Sequence, residues 1–120
     1  MFSRSKQPAR PAPLTAREAV AKSAAGEVTL IDIRDPSEIR ATGAATGALR
    51  IPLSVLRMQA DPASPEHHPA LSTDKAVVLY CASGARAAMA QGMLQDMGYG
   101  EVHNIGGFGH WQQAGGAVTR

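Results

Sequence analysis

The sequence predicts an α/β domain built on a mostly parallel sheet, and three observations carry that prediction. Short apolar runs rich in β-branched residues alternate with segments of helical pattern from residue 14 onward, the order that lays helices against a parallel sheet. Two of those runs, 28–33 and 76–80, are almost continuously apolar, as strands covered on both faces must be. Helix starts carry capping signals of their own.

The elements follow in order. Leu14-Thr15-Ala16-Arg17-Glu18 opens a helix through a capping box of Thr15 and Glu18, and Gly26 stops it. Val28-Thr29-Leu30-Ile31-Asp32-Ile33 is the first strand. Asp35-Pro36-Ser37-Glu38 is a second capping pattern, with proline at the first helical position, where its missing N–H costs nothing. That short helix reaches about Thr42 and gives way to a glycine-bearing loop over 43–47. Residues 48–51 form a brief strand closed by Pro52, and 53–59 a further helix.

Residues 60–74, with Pro62, Pro65, Pro69 and the His67-His68 pair, are expected to be the least ordered interior segment. Residues 76–80 are the clearest strand. From Ala85 to about Met97, Ala87, Ala90, Leu94 and Met97 share one stripe of a helix whose alanines allow close approach to a sheet. A last strand spans 102–105, and a terminal helix opening over 106–111 ends at Gly115-Gly116.

The totals bound the function. A chain of 120 residues fits one domain, here 14–120, led by a flexible or extended tail over 1–13 in which Pro8, Pro11 and Pro13 deny regular pairing. The net charge of +2, with aromatics at 4%, is too weak and too dispersed for a nucleic-acid partner. No run approaches the ~18 apolar residues of a membrane span. The tail carries Arg4, Lys6 and Arg10 without the apolar stretch of a secretory signal, so a cytoplasmic location is expected. The four histidines, His67, His68, His103 and His110, show no metal-ligand spacing, so no metal site is expected. Met89, Met93 and Met97 are expected to fill core, and Phe108 and Trp111 to pack the terminal helix.

One cysteine remains, and it cannot form an internal disulfide; a free thiol suits a reducing compartment. Cys81 leaves the clearest strand and enters Cys81-Ala82-Ser83-Gly84-Ala85-Arg86, just before a helix. Unpaired N–H groups and the positive helix end point at such a position. They draw a thiol from a pKa of ~8.5 toward about 3.5–7.5. The small residues 82–85 let the backbone curl into a nest of amides around an anion, and Arg86 adds a forked cation. A cysteine within a strand is ordinarily a small buried hydrophobe; this one stands at the carboxyl end of a parallel strand, where α/β folds do their chemistry.

Four segments in this order make the chain resemble a single-domain rhodanese, a sulfurtransferase. They are Leu30-Ile31-Asp32-Ile33-Arg34-Asp35-Pro36-Ser37-Glu38, Gly47-Ala48-Leu49-Arg50-Ile51-Pro52-Leu53, the loop from Cys81 to Arg86, and Asn104-Ile105-Gly106-Gly107-Phe108 with Trp111. The resemblance implies a central, mostly parallel five-stranded sheet flanked by helices. It implies catalysis by Cys81 through a persulfide, held by the N–H groups of Ala82, Ser83, Gly84, Ala85 and Arg86. Sulfane sulfur would pass from thiosulfate or an organic persulfide to a thiol or cyanide, with no cofactor. The alternative is a sulfur carrier loaded by a partner protein in a sulfur relay.

The loop has the six positions of the family's sulfurtransferases, whereas phosphatases of this fold have one more. Two departures stand out. Gly43-Ala44 replaces the family's frequent Gly-His, and no cation lies between Cys81 and Arg86, which makes thiosulfate a poor donor on this expectation. Asp32 and Arg34 fit the family's acidic-apolar-basic pattern. They either brace the active-site loop or form a cap region with a surface pair to Glu38.

Overall fold

A computed structural model describes residues 12–120; most of the expected tail, 1–11, lies outside the described residues. Four parallel strands form the central sheet in the order β3-β1-β4-β5. They are β1 (Thr29–Asp32), β3 (Leu49–Arg50), β4 (Val77–Cys81) and β5 (Val102–Gly107). Helices α1 (Ala16–Ala24), α2 (Pro36–Thr42), α3 (Leu53–Ala60), α4 (Ala85–Asp96) and α5 (Phe108–Gln113) connect and cover them. The α/β architecture with a mostly parallel sheet is therefore as the alternating pattern required.

Alternation along β4 divides the core in two. Val77, Leu79 and Cys81 face one layer with Leu56, Ala60, Ala87, Ala90 and Leu94, from α3 and α4. Val78 and Tyr80 face the other, with Ala19 of α1 and Phe108 and Trp111 of α5. Both faces of β1 and β4 are covered, which is why those segments read as unbroken apolar runs. The capping box of Thr15 and Glu18 is formed, and the Asp35 N–H donates to Glu38 at 2.9 Å. Met93 and Met97 pack against the core, but Met89 is 62% exposed, because the helix turns that position away from the sheet.

The main sheet has four strands where the resemblance implied five. Residues 44–45, expected in a loop, form β2 (Ala44–Ala45) and pair antiparallel with β6 (Val118–Thr119) in a separate ribbon. Gly43 permits this. Its φ is +81°, and a Cβ there would lie 2.9 Å from both the Thr119 carbonyl oxygen and Val118 Cγ1. Residues 61–74 have no helix or strand, yet the segment is tied down by a buried Leu71, by the His68 N–H donating to the Gln59 carbonyl at 2.8 Å and by the Gly100 N–H donating to the Thr73 carbonyl at 3.2 Å. Among the described residues no helix is long and apolar enough to cross a membrane.

Asp32 and Arg34 are buried at the end of β1. Arg34 Nε donates to Asp32 Oδ1 at 3.0 Å and Nη2 to Oδ2 at 2.7 Å, while the remaining guanidinium reach goes to Thr42 Oγ1 and the Gly43 carbonyl, each at 2.9 Å. The Tyr80 hydroxyl donates to Asp32 Oδ2 at 2.6 Å and accepts the Ala45 N–H at 2.8 Å. Arg34 also lies 4.4 Å over the Phe108 ring, a cation–π contact strengthened by the absence of water. Burial and Asp32 push the Tyr80 phenol well above its ordinary range. Removing that hydroxyl strands the buried Ala45 N–H and takes one of several bonds from Asp32, so Tyr80→Phe should lower stability by about 1–3 kcal/mol with the fold intact. Urea denaturation together with far-UV circular dichroism checks this; an unchanged midpoint would refute it.

Candidate active site

β4 runs through Cys81 itself, one residue further than the sequence pattern suggested, so the thiol is anchored in the sheet and fully buried. The chain then turns through residues 82–84 into α4. Gly84 makes the turn with φ at +110°, and its N–H donates to Cys81 Sγ at 3.0 Å. Two opposing effects act on the thiol. Burial raises its pKa, whereas bonds from the backbone N–H groups of Ala87, Gly84, Ser83 and Arg86 lower it. The amides prevail, and the pKa falls below the ordinary thiol value.

Of the loop residues expected to form the cradle, Ser83, Gly84 and Arg86 supply such amides, while Ala82 and Ala85 stand exposed on the rim. Ala87, one position beyond the expected set, also contributes. Nothing in an alanine side chain signals such a role; the turn geometry does.

The turn is braced from β5. Asn104 Nδ2 donates to the Gly84 carbonyl at 3.1 Å, and its Oδ1 accepts the Gly106 N–H at 2.8 Å. The pair Gly106-Gly107 lies against the loop: a Cβ on Gly107 would collide with the Ala82 carbonyl, and one on Gly84 would sit 3.3 Å from Gly106 Cα. His110 Nδ1 accepts the Gly107 N–H at 2.9 Å, so its Nε2 carries the proton in the neutral ring. The glycine pair in the sequence was thus a signal of close backbone approach.

Arg86 departs from expectation. Its guanidinium is held in a bidentate pair, Nη1 to Glu38 Oε1 at 2.7 Å and Nη2 to Oε2 at 2.8 Å. Glu38 is the functional neighbour that sequence reasoning missed; its capping pattern was legible, but not a partner 48 positions away. The pair with Arg86 and the Asp35 amide hold the Glu38 carboxyl down at about 2. Asp32 and Arg34 make no surface pair with Glu38. They sit on the opposite face of the sheet from Cys81 and reach the loop only through Tyr80, its neighbour in β4.

Two outcomes follow from these shifts. Alkylation of Cys81 by iodoacetamide, followed against pH by intact mass, should show its inflection below the ~8.5 of a free thiol; an inflection at or above that value contradicts the amide cradle. The Glu38 carboxyl, depressed on folding, stabilises the fold fully above the ordinary carboxylate range, and that contribution is lost as pH falls toward about 2. Glu38→Gln should therefore flatten the decline of stability between pH 5 and pH 3, measured by urea denaturation at each pH. An unchanged decline would remove Glu38 from the account.

Comparison with known proteins identifies the family of the domain. A family model described as rhodanese-like domain matches residues 15–114. A sulfurtransferase of Allochromatium vinosum is 38% identical over 90 residues, covering 74% of this chain and 76% of the relative. Among solved structures, a protein of unknown function from Rhodopseudomonas palustris, described as a possible tyrosine phosphatase, is 43% identical at a TM-score of 0.79. The match covers 89% of this chain and 83% of that one. The human single-domain sulfurtransferase is 28% identical at a TM-score of 0.69, covering 84% and 95% of the two chains. With the match spanning nearly all of the described domain, the chain belongs to the rhodanese-like domain family.

Proposed function

We propose that the protein is a sulfurtransferase that carries sulfane sulfur on Cys81. The observation behind this reading is the thiol itself, rooted at the end of a buried strand and held by backbone N–H groups that favour an anion over it. In the first half-reaction the thiolate attacks the outer sulfur of thiosulfate or of an organic persulfide. The S–S bond of the donor breaks, sulfite or a thiolate leaves with the electron pair, and a Cys81 persulfide forms. In the second, cyanide or an acceptor thiolate takes the outer sulfur and Cys81 departs as thiolate. The two steps are covalent catalysis with ping-pong kinetics, and the amides of Ser83, Gly84, Arg86 and Ala87 stabilise the anion at each stage.

Arg86 enters this reading as a positioning residue. With its fork given to Glu38, it ties the start of α4 to α2 while its backbone N–H faces the sulfur. No cation stands between Cys81 and Arg86; an organic persulfide is therefore the favoured donor over the dianion thiosulfate. A free nucleophilic thiol fits a reducing, cytoplasmic setting.

Phosphatase chemistry, raised by the description of the Rhodopseudomonas palustris relative, is disfavoured by the six-position loop. A second reading has one observation in its favour. The rim residues Ala82, Ser83 and Ala85 are exposed and uncharged, and Met89, one turn on from Ala85, is exposed beside them. Such a rim suits a protein donor in a sulfur relay, with the domain acting as carrier.

Intact mass after mixing with glutathione persulfide should show the gain of one sulfur atom, absent in Cys81→Ser. No gain with any donor, alongside hydrolysis of an aryl phosphate, would overturn the assignment. Charging without thiosulfate:cyanide or persulfide:thiol turnover would favour the carrier. Gly84→Ala places a Cβ at positive φ and 3.3 Å from Gly106 Cα; the loading rate should drop at least tenfold with the fold retained. Normal loading would sink the claim that this turn sets the cradle.

A further inference from the structure

A second cavity lies apart from the cysteine loop. Its volume is about 390 Å³, and Arg34, Pro36, Ile39, Arg40, Arg50, Pro52 and Arg120 line it. That size is within the range of small-molecule sites. It opens beyond the carboxyl ends of β1 and β3, the end at which ligands of open α/β sheets bind. None of residues 81–86 takes part in its wall.

Its charge is unusual. Four of the seven lining residues are arginines and none is acidic. Arg34 is neutralised by Asp32, but Arg40, Arg50 and Arg120 make no ion pair among the described residues. The nearby Glu38 on α2 is already given to Arg86. Like charges gathered around one concavity repel, and a fold tolerates that most readily where an anion completes the site.

Arg40, Arg50 and Arg120 come from separate elements: α2, β3 and the residue after β6. Bringing the last one in depends on Gly43. At φ +81° that residue lets the β6 ribbon pass close, and the Arg120 stem lies 3.1 Å from where a Cβ would be. Pro36, Ile39 and Pro52 give the cavity an apolar wall. Guanidinium forks above an apolar wall suit paired oxyanions on a compact frame.

We propose that this cavity is a binding site for a small polyanion, a molecule bearing two or more phosphate or carboxylate groups. Its enclosure by three elements favours a small molecule over a nucleic-acid backbone or a lipid surface. The site is separate from sulfur transfer, and its test does not depend on Cys81.

The experiment titrates the ¹⁵N-labelled full chain with inorganic pyrophosphate and, separately, with citrate, against sodium chloride of matched ionic strength. Saturable shifts are expected at the Nε–H groups of Arg40 and Arg50 and at the amides of residues 39, 40, 50 and 53, and sodium chloride should produce none. The tighter of the two probes identifies phosphate or carboxylate as the preferred group. In Arg40→Gln/Arg50→Gln, whose two sites are exposed, affinity should fall at least tenfold. Three results would overturn the proposal: no saturable shift with either probe, equal affinity in the double variant, or shifts confined to residues 82–86.

Discussion

The buried pair of Asp32 and Arg34 is the constraint on which the rest of the molecule is arranged. Two charges removed from water are stable only when paired and fully hydrogen-bonded. Here that requirement recruits Tyr80 from β4, Thr42 and Gly43 from the end of α2, and the ring of Phe108 from α5. Among the described residues no buried side-chain polar atom lacks a partner. The demand for complete pairing therefore fixes the strand ends, the turn after α2 and the seat of α5 relative to one another. Tyr80 passes that order on, since it is itself the residue that precedes Cys81 and points to the opposite face.

Cys81 poses the inverse problem. Its environment withdraws water from a group whose useful form is charged, and burial alone would leave a neutral, inert thiol. Backbone amides reverse the balance because they are dipoles fixed before any substrate arrives. Fixing them takes the left-handed turn at Gly84 and the absence of a side chain at Gly107, where β5 presses on the loop. Asn104 then adds a second bond to the Gly84 carbonyl, which already accepts the Ala88 N–H at 3.0 Å.

Much of this was legible in the sequence wherever a local cause produced it. Continuous apolar runs marked β1 and β4, the Thr15 and Glu18 box marked α1, and the small-residue turn after Cys81 marked an anion cradle. What escaped depended on residues far apart. The ribbon of Ala44–Ala45 with Val118–Thr119 has neither length nor β-branched pattern on one side, and exists because Gly43 admits it. Glu38 with Arg86 joins two helices across 48 positions. The row Met89, Met93 and Met97 reads as core from its residue type, but helix rotation sends Met89 outward.

The engagement of Arg86 bears on what the cradle can select. A tetrahedral oxyanion needs several donors spread around it, and a free guanidinium fork is well suited to supply two of them. In this protein the fork faces a carboxylate, in a pair that holds Glu38 ionised down to about pH 2. The anion-stabilising donors left at the base of the loop are amides converging on one atom, Sγ. A site of that kind favours charge confined to a single sulfur, or to the next sulfur bonded to it, over charge shared among three oxygens. On the proposed sulfur-transfer reading, selectivity for sulfur arises from a salt bridge between α2 and α4 as much as from the loop's length, because the same pair that steadies the turn withdraws its cation from the substrate.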